Sequence, residues 1–381
     1  MCFKIGIRNN LRYPLIFMLL KSLLDFDEMF MRLFCGYYKG YFIFCTLIFL
    51  SQLLSGLIPL LIQEKVEING SDNFYKILIL LLIASYFNFI GTIVRRKYFS
   101  QINNNLPARD HFIEFRFKSI QIEASALLCY LTMKIKIYRH QLISLIIICV
   151  ILILIMIIDM FDDFQNLPLK IKYFLLTAFS CITRAFLDTI DKYLFEFNYL
   201  RPYTILLYEG IIGTIFNPML LLIDNDSYKD FSEVESTENN IVLLIFLFII
   251  FLILSSFKNM YRVLTVQYYS PMTRALTESI LDPFILLYYF ILFKEKKVND
   301  YVYFILIIIC LIIAAICSLI YNDFIILYCC EMERNTYLEI NNRLYSDLFD
   351  EIINEDDNDN DNDNNKDDNN GKQTIELITQ N

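Results

Sequence analysis

Tryptophan is absent from this chain, and histidine occurs only as His111 and His140. Neither histidine has a second ligand at a spacing typical of a metal site, so we predict no bound metal. The sequence also lacks a GxxxxGK[ST] segment, which argues against an ATP-driven pump. No His/Asp cluster or Ser-His arrangement is visible, and we therefore predict that the protein is not an enzyme and uses no cofactor.

Cysteine pairs of the CxxC type are missing as well, because the ten cysteines are scattered, mostly within apolar segments. We interpret them as small apolar packing residues. Basic residues are too dispersed to form a nucleic-acid surface, so we predict no nucleic-acid partner. The net charge of −9 arises mainly from the tail after Ser346 and from the loop between Asp224 and Glu238.

Long apolar segments are what the chain has in abundance, such as ISLIIICVILILIMII (143–158) and IVLLIFLFIIFLIL (241–254). About 20 mainly apolar residues are enough to span a bilayer, so these segments predict membrane helices. The lipid bilayer is therefore the first predicted partner. The predicted spans are residues 41–62, 74–94, 113–133, 140–158, 171–192, 203–223, 241–264, 272–293 and 301–321.

The N-terminal segment, residues 1–40, leaves three alternatives open. The stretch from Tyr13 to Leu24 is apolar but short, and acidic residues follow it directly from Asp25 onward. It is a degenerate first membrane helix, an interfacial amphipathic helix or a signal anchor. The chain therefore has nine spans, or ten if this segment crosses the membrane.

An acidic linker around Pro168 divides the transmembrane domain, 41–321, into two halves. The first half ends at about residue 160, and the second, 171–321, contains five spans. A shift of about 158 residues superposes the basic positions Arg116 and Arg274. Because five is an odd number, two such units enter the membrane in opposite directions. We predict an all-α polytopic membrane protein with about ten transmembrane helices in two inverted five-helix repeats.

Two segments follow the last span. We interpret residues 322–349 as a post-membrane cytosolic segment. Residues 350–381 are rich in Asp and Asn, and a chain of this composition cannot bury enough apolar surface to fold. We therefore predict a disordered tail.

Charged residues inside the predicted spans are the candidate binding residues. Arg274, Glu278 and Asp282 are spaced four residues apart, which places them on one helix face. A charge at the centre of a bilayer costs about 2.5–3.5 kcal/mol, so this face should point into the protein. We expect Arg274 near the surface, whereas the deeper Glu278 and Asp282 hold a cationic partner from another helix or carry a proton. Glu123, in the corresponding helix of the first half, is the next candidate.

Two further spans carry cations. Arg184, Asp188 and Lys192 share one face of span 171–192, where they are able to pair along the helix. Lys258 and Arg262 lie one turn apart in span 241–264 and would suit an anionic solute. The alternative for these residues is structural: charge neutralisation within a helix, with the end residues anchored at the membrane surface.

Span 203–223 places Glu209, Gly213 and Asn217 on one face. Glu209 and Asn217 are candidate binding residues. Gly210 and Gly213 would allow a neighbouring helix backbone to approach closely.

Four segments of the sequence are informative together: KIKIYRHQLISLIIICVILI (134–153), DKYLFEFNYLRPYTILLYEGIIGTIFNP (191–218), LTESILDPFILLYYFILFKEKKV (276–298) and YNDFIILYCCEMERNTYLEINNR (321–343). They resemble segments of the drug/metabolite transporter superfamily, in particular its nucleotide-sugar transporter-like branch (the solute carrier family 35 and EamA-type proteins). The resemblance covers roughly residues 41–345, and it implies ten helices in two inverted repeats, alternating access to a central cavity and often Golgi or endoplasmic reticulum residence.

Two functional hypotheses follow. The first is a secondary transporter of a small polar or anionic metabolite, with nucleotide sugars as one substrate class, in an endomembrane or in the plasma membrane. It predicts that charged faces of different helices converge on one central cavity. The alternative is a non-transporting membrane scaffold or receptor, whose charges pair locally without a cavity. We also leave a homodimer open.

Overall fold

The computed structural model describes most of the helical part of the chain. The predicted tail 350–381, most of segment 322–349 and the candidate Asp282 lie outside the described residues. The described residues are 3–4, 12–35, 41–61, 74–105, 117–135, 137–162, 167–219, 241–280, 283–284, 287, 298–323 and 325–327.

These residues are almost entirely helical, as the sequence predicts. They form ten α-helices, and a 3-10 turn (Asn217–Met219) extends the seventh. The helices are α1 (Arg12–Cys35), α2 (Tyr41–Leu61), α3 (Phe74–Asn105), α4 (Ile120–Met133), α5 (Arg139–Asp162), α6 (Leu167–Asn198), α7 (Pro202–Phe216), α8 (Ile241–Tyr268), α9 (Pro271–Ser279) and α10 (Val298–Tyr321).

Five helices are long and apolar enough to cross a bilayer. Two shorter apolar helices, Phe42–Leu57 in α2 and Ile120–Met133 in α4, accompany them. The chain is therefore an all-α membrane protein. The five segments are Tyr75–Arg96, Arg139–Ile158, Lys170–Asn198, Ile241–Tyr268 and Val302–Tyr321.

The N-terminal stretch forms one helix of 24 residues, α1, which packs along α8. Leu24 and Met31 of α1 are buried with Phe44 of α2 and Phe251 of α8 in one apolar cluster. Lys21 is also buried in α1, because its ammonium group donates a hydrogen bond of 3.1 Å to the backbone oxygen of Glu278. Residues of α1 thus contribute to the helix bundle, while its crossing of the membrane stays a prediction.

Prolines mark the beginnings of three helices. Pro202 begins α7 and Pro271 begins α9, where the missing proline N–H leaves no helical hydrogen bond unmade. The hydroxyl of Ser270 caps α9 by accepting a 3.0 Å hydrogen bond from the Thr273 N–H. Pro168, predicted in the linker between the halves, lies instead in the first turn of α6, since proline is tolerated there.

The most extensive helix contacts join the two halves of the chain. The pairs are α2 with α7, α1 with α8, α3 with α6 and α5 with α10. Each pair combines a helix that precedes residue 163 with one that follows residue 166. The halves are therefore interleaved, and neither forms a separate core.

Glycines allow the closest of these contacts, between α2 and α7. A Cβ atom added to Gly210 would lie 2.3 Å from the backbone nitrogen of Leu53, and one added to Gly56 would lie 2.5 Å from that of Leu207. At Gly213 an added Cβ would lie 2.2 Å from the Phe49 ring. The predicted close approach of a neighbouring backbone is confirmed at Gly210, whereas at Gly213 the neighbour is the Phe49 side chain.

The outer surface of the bundle is apolar. Large side chains such as Ile146, Ile153, Phe246 and Val302 are about half exposed, although they belong to the most hydrophobic helices. A soluble monomer rarely exposes so much apolar surface, whereas lipid tails cover it without cost. These faces therefore define the surface that contacts the bilayer.

The chain divides into two compact units: residues 7–325, which include the helices described above, and residues 1–6 together with 326–381. The second of these units contains a short strand pair. There Phe3–Lys4 (β1) pairs in antiparallel register with Ile326–Leu327 (β2), so that Phe3 faces Leu327.

Candidate functional site

Seven charged side chains from four helices meet inside the bundle. We refer to them as the buried charge cluster. Six of the seven residues are at most 4 % exposed, and the seventh, Arg184, is partly buried. Its members are Arg184, Asp188 and Asp191 of α6, Glu209 of α7, Arg262 of α8, and Arg274 and Glu278 of α9.

Arg262 is the central cation of the cluster. Its Nη2 atom lies 2.8 and 2.7 Å from the two carboxylate oxygens of Glu209. Its Nη1 atom donates to Asp191 Oδ2 at 3.1 Å and lies 3.5 Å from Asp188 Oδ1. One planar guanidinium thereby binds carboxylates from two helices, which a lysine ammonium has no geometry to reproduce.

Glu278 is held between two arginines. Its Oε1 atom accepts a 2.8 Å hydrogen bond from Arg274, and its Oε2 atom accepts one of 3.1 Å from Arg184 of α6. Arg274 also donates to Asp188. The predicted cationic partner of Glu278 from another helix is thus present.

Two expectations for these residues are wrong. Arg184 and Asp188 do not pair with each other in α6; Arg184 binds Glu278, and Asp188 binds Arg274 and Arg262. Asp188 and Lys192 do not pair either, because Lys192 binds the Gln267 backbone oxygen and Glu196. Arg274 is only 4 % exposed, held inside the bundle by Asp188 and Glu278, and its depth in the membrane stays a prediction. The reason is packing: the charged face of α6 meets α8 and α9, which offer partners of opposite sign.

Neutral amides complete the hydrogen bonding. Asn88 of α3 donates to Glu209 Oε2 at 3.4 Å and to Gln52 Oε1 of α2 at 3.0 Å. Gln121 of α4 donates to Asp188 Oδ2 at 3.3 Å. The first half of the chain therefore supplies amides to carboxylates of the second half.

Two of the predicted residues, Lys192 and Asn217, have their polar contacts elsewhere. Lys192 donates to the Gln267 backbone oxygen at 2.9 Å and pairs with Glu196 at 3.1 Å. Asn217 donates to the Thr46 hydroxyl at 2.7 Å. Glu123 lies on α4, and its Oε1 atom is buried without a hydrogen-bond partner among the described residues.

A cavity of about 60 Å³ adjoins the buried charge cluster. Such a volume holds a few water molecules. Among the described residues that line it, six side chains are basic and one is acidic, so the cavity favours negative charge. The basic residues are Arg95, Arg96, Arg184, Lys258, Arg262 and Arg274, and the acidic residue is Glu278.

The cations of the lining differ in their partners. Arg96 binds the carboxylate of Glu28 in bidentate fashion at 2.6 and 3.0 Å, and its guanidinium carbon lies 4.9 Å from the centre of the Phe44 ring. Lys258, half-buried at the cavity, has no hydrogen bond or ion pair to the part of the chain that the structure describes. An incoming anion that binds its ammonium group therefore displaces no partner among the described residues.

Sequence reasoning missed Asp191, Arg95 and Arg96. Asp191 follows Asp188 by three residues and therefore lies near the same helix face, which was a usable signal. The arginines belong to the sequence RRK at the end of a predicted span, where basic residues usually mark a loop. The continuation of α3 to Asn105 keeps them on a helix.

Among the described residues, no group of three or more His, Cys, Asp or Glu side chains is arranged to hold a metal ion. Neither a protein-family model nor a curated protein matches this chain. The resemblance to drug/metabolite transporters stays a prediction, based on the segments quoted above.

Proposed function

We propose that the protein is a secondary transporter of a small polar or anionic metabolite and that it works by alternating access. The observation that carries this proposal is the cavity inside a membrane helix bundle, lined by six basic side chains and one acidic one. Desolvated cations of this kind attract anions and form strong charge-assisted hydrogen bonds with them.

We further propose that the ten helices form two inverted five-helix repeats, with α1–α5 equivalent to α6–α10. The pattern of helix contacts supports this equivalence, because exchanging the repeats converts the pair α1–α8 into α6–α3, and both pairs are extensive. The exchange likewise converts α2–α8 into α7–α3, and α4–α6 into α9–α1, all of which are in contact. Such internal symmetry is what a rocking-bundle transporter requires.

The volume of the cavity fits a closed conformation. Pockets for metabolites usually measure about 300–1,000 Å³, far more than the 60 Å³ present here. A nucleotide sugar, the substrate class suggested by the resemblance, would enter only after the helices separate. Alternating access supplies that separation, since contacts between the repeats, such as Asn88 with Glu209 and Gln121 with Asp188, break and form again as the repeats move.

The surroundings of the protein are part of the same proposal. The apolar outer surface requires a lipid bilayer, and an endomembrane of the Golgi or endoplasmic reticulum, or the plasma membrane, is the proposed location. A homodimer within the bilayer is compatible with this function.

Counterflow uptake into proteoliposomes tests the proposal. Purified protein is reconstituted with a panel of nucleotide sugars, nucleoside phosphates and inorganic phosphate, and we expect saturable exchange of at least one compound. Lys258→Met should lower that exchange about tenfold or more, because a charge-assisted hydrogen bond is worth about 1.5–3 kcal/mol. Lys172→Met, at an exposed position of α6, is the matched control and should exchange normally.

The alternative function is a non-transporting scaffold or receptor. One observation favours it: each carboxylate of the buried charge cluster already has a guanidinium partner. Absence of exchange for every compound, from protein shown to be folded, would reject transport of these classes and favour the scaffold. Normal exchange by Lys258→Met would instead reject the cavity as the anion site.

A further inference from the structure

Asp191 has the fewest hydrogen bonds of the four carboxyl groups in the buried charge cluster. The residue is fully buried, its Oδ2 atom accepts a single hydrogen bond from Arg262 at 3.1 Å, and its Oδ1 atom has no hydrogen-bond partner among the described residues. Glu209, by contrast, accepts two shorter bonds from the same guanidinium and another from Asn88. An unpaired carboxylate oxygen buried in this way is costly as an anion.

Acids outnumber cations around Asp191. Glu209 of α7 and Asp188 of its own helix face it, and Arg262 of α8 is the cation within contact. Arg262 therefore serves three carboxyls at once. The whole buried charge cluster contains three arginines and four carboxyls, so it is neutral only when one further positive charge is supplied.

Apart from Lys258, which lines the cavity, the neighbouring cations are engaged elsewhere. Arg274 of α9 divides its two Nη atoms between Asp188 and Glu278. Lys192 of α6 is directed to Gln267 and Glu196, and Lys76 of α3 to the Tyr193 hydroxyl. From α3 and α4 the nearby side chains that bind the cluster are the neutral Asn88 and Gln121. The missing positive charge must fit beside the fully buried Asp191. A proton is small enough to bind there without any movement of the surrounding side chains.

Arg262 connects this carboxyl group to the cavity. It belongs to the cavity lining and at the same time binds Asp191 and Glu209. When Asp191 is ionised, part of the Arg262 charge is neutralised by that carboxylate. When Asp191 is protonated, the same positive charge is available to an anion in the cavity.

We propose that Asp191 binds the transported proton and that Arg262 couples this proton to an anion in the cavity, so that the protein is a proton–anion symporter. This inference rests on the proposed transporter function and adds the identity of the coupling ion, a proton. In the step, a proton from water forms an O–H bond with the Asp191 carboxylate, and the anion takes its place beside Arg262. On the opposite side the anion leaves, the O–H bond breaks, and the proton returns to water.

The first experiment detects the proton itself. Infrared difference spectra of the reconstituted full chain are recorded over a pH titration, and we expect the carbonyl band of a buried, protonated carboxylic acid. Asp191→Asn should remove this band, since an amide carries the shape of the protonated acid without its proton. Glu196→Gln, an exposed acid on the same helix, should leave the band unchanged.

The second experiment measures coupling. Proteoliposomes with a more acidic exterior are supplied with labelled inorganic phosphate, nucleoside monophosphates or nucleotide sugars. One proton per anion predicts accumulation of a monoanion by about tenfold for a gradient of one pH unit. Glu196→Gln should accumulate the anion as the wild type does, whereas Asp191→Asn should lose the gradient-driven part.

The outcomes separate the two claims. Wild-type counterflow without any response to the pH gradient overturns the symport inference and leaves the transporter intact. An infrared band that persists in Asp191→Asn overturns the assignment of the proton to Asp191. No counterflow of any compound overturns the transporter, and the inference with it.

Discussion

Arginine is the residue on which the interior of the bundle depends. Arg262 makes contacts with Asp188, Asp191 and Glu209, and it is only 3 % exposed. A buried ion pair contributes little in comparison with apolar packing, but removal of one partner leaves charges without compensation. Replacement of Arg262 alone should therefore destabilise the protein far more than the intact ion pairs stabilise it relative to apolar packing.

Arg262→Met is expected to destabilise the protein by about 3–5 kcal/mol, because the three carboxyls lose their shared cation. Thermal or denaturant unfolding in detergent micelles measures the change. Arg201→Met provides the same substitution at an exposed position before α7 and should change stability by no more than about 0.5 kcal/mol. Equal effects at both positions would contradict a special role for the buried charge cluster.

The spacing of charges in the sequence predicted part of this site. Arg184, Asp188 and Glu278 were identified because charges four residues apart share a helix face and such a face avoids lipid. The spacing does not show which helix lies opposite. It therefore predicted an ion pair between Arg184 and Asp188 within one helix, whereas Arg184 binds Glu278 of another helix. The partner is set by tertiary packing, and one helix pattern does not encode it.

At the scale of helices, close approach explains how α2 and α7 bring polar groups together. Gly56 and Gly210 each lie against the backbone of the opposite helix, and Asn88 and Gln52 extend this contact towards Glu209. Small residues let van der Waals contacts accumulate where lipid removes any hydrophobic advantage.

Gly210→Ala tests this contact. Alanine favours the helix by about 1 kcal/mol, yet its Cβ would lie 2.3 Å from a backbone atom of Leu53, so we expect a net loss of stability of about 1–3 kcal/mol. In Gly91→Ala the new Cβ meets only the Thr183 side chain, and the loss should be smaller. Unfolding of both variants in the same detergent gives the comparison, and a larger loss at Gly91 would refute it.

For the whole molecule, long apolar segments predicted the helices but not all of their ends. Span 140–158 became α5 and span 301–321 became α10 with only small extensions, since the apolar segments themselves define them. Span 171–192 became the longer α6, which runs from Leu167 to Asn198. Charged residues at its ends remain helical because other helices and solvent satisfy them, a tertiary effect that hydropathy does not measure.

Thiol labelling tests the position of the bundle in the bilayer. Cys149 is exposed on α5, within the span Arg139–Ile158, so lipid should cover it. In a variant that keeps Cys149 as its single cysteine, a charged maleimide should fail to react in open membranes and should react after denaturation. Arg201→Cys in a cysteine-free background should react in both states, and labelling of native Cys149 would place this face in water.

The interleaving of the two halves also constrains biosynthesis. Asn88 precedes its partner Glu209 by 121 residues, so at about 5–20 residues per second the ribosome needs roughly 6–24 seconds to supply that partner. During this interval Gln52, 36 residues before Asn88, is already available to pair with it. The amide pair between α2 and α3 thus satisfies these polar groups of the nascent chain in the membrane, and it persists after α7 arrives and Glu209 accepts a second hydrogen bond from Asn88.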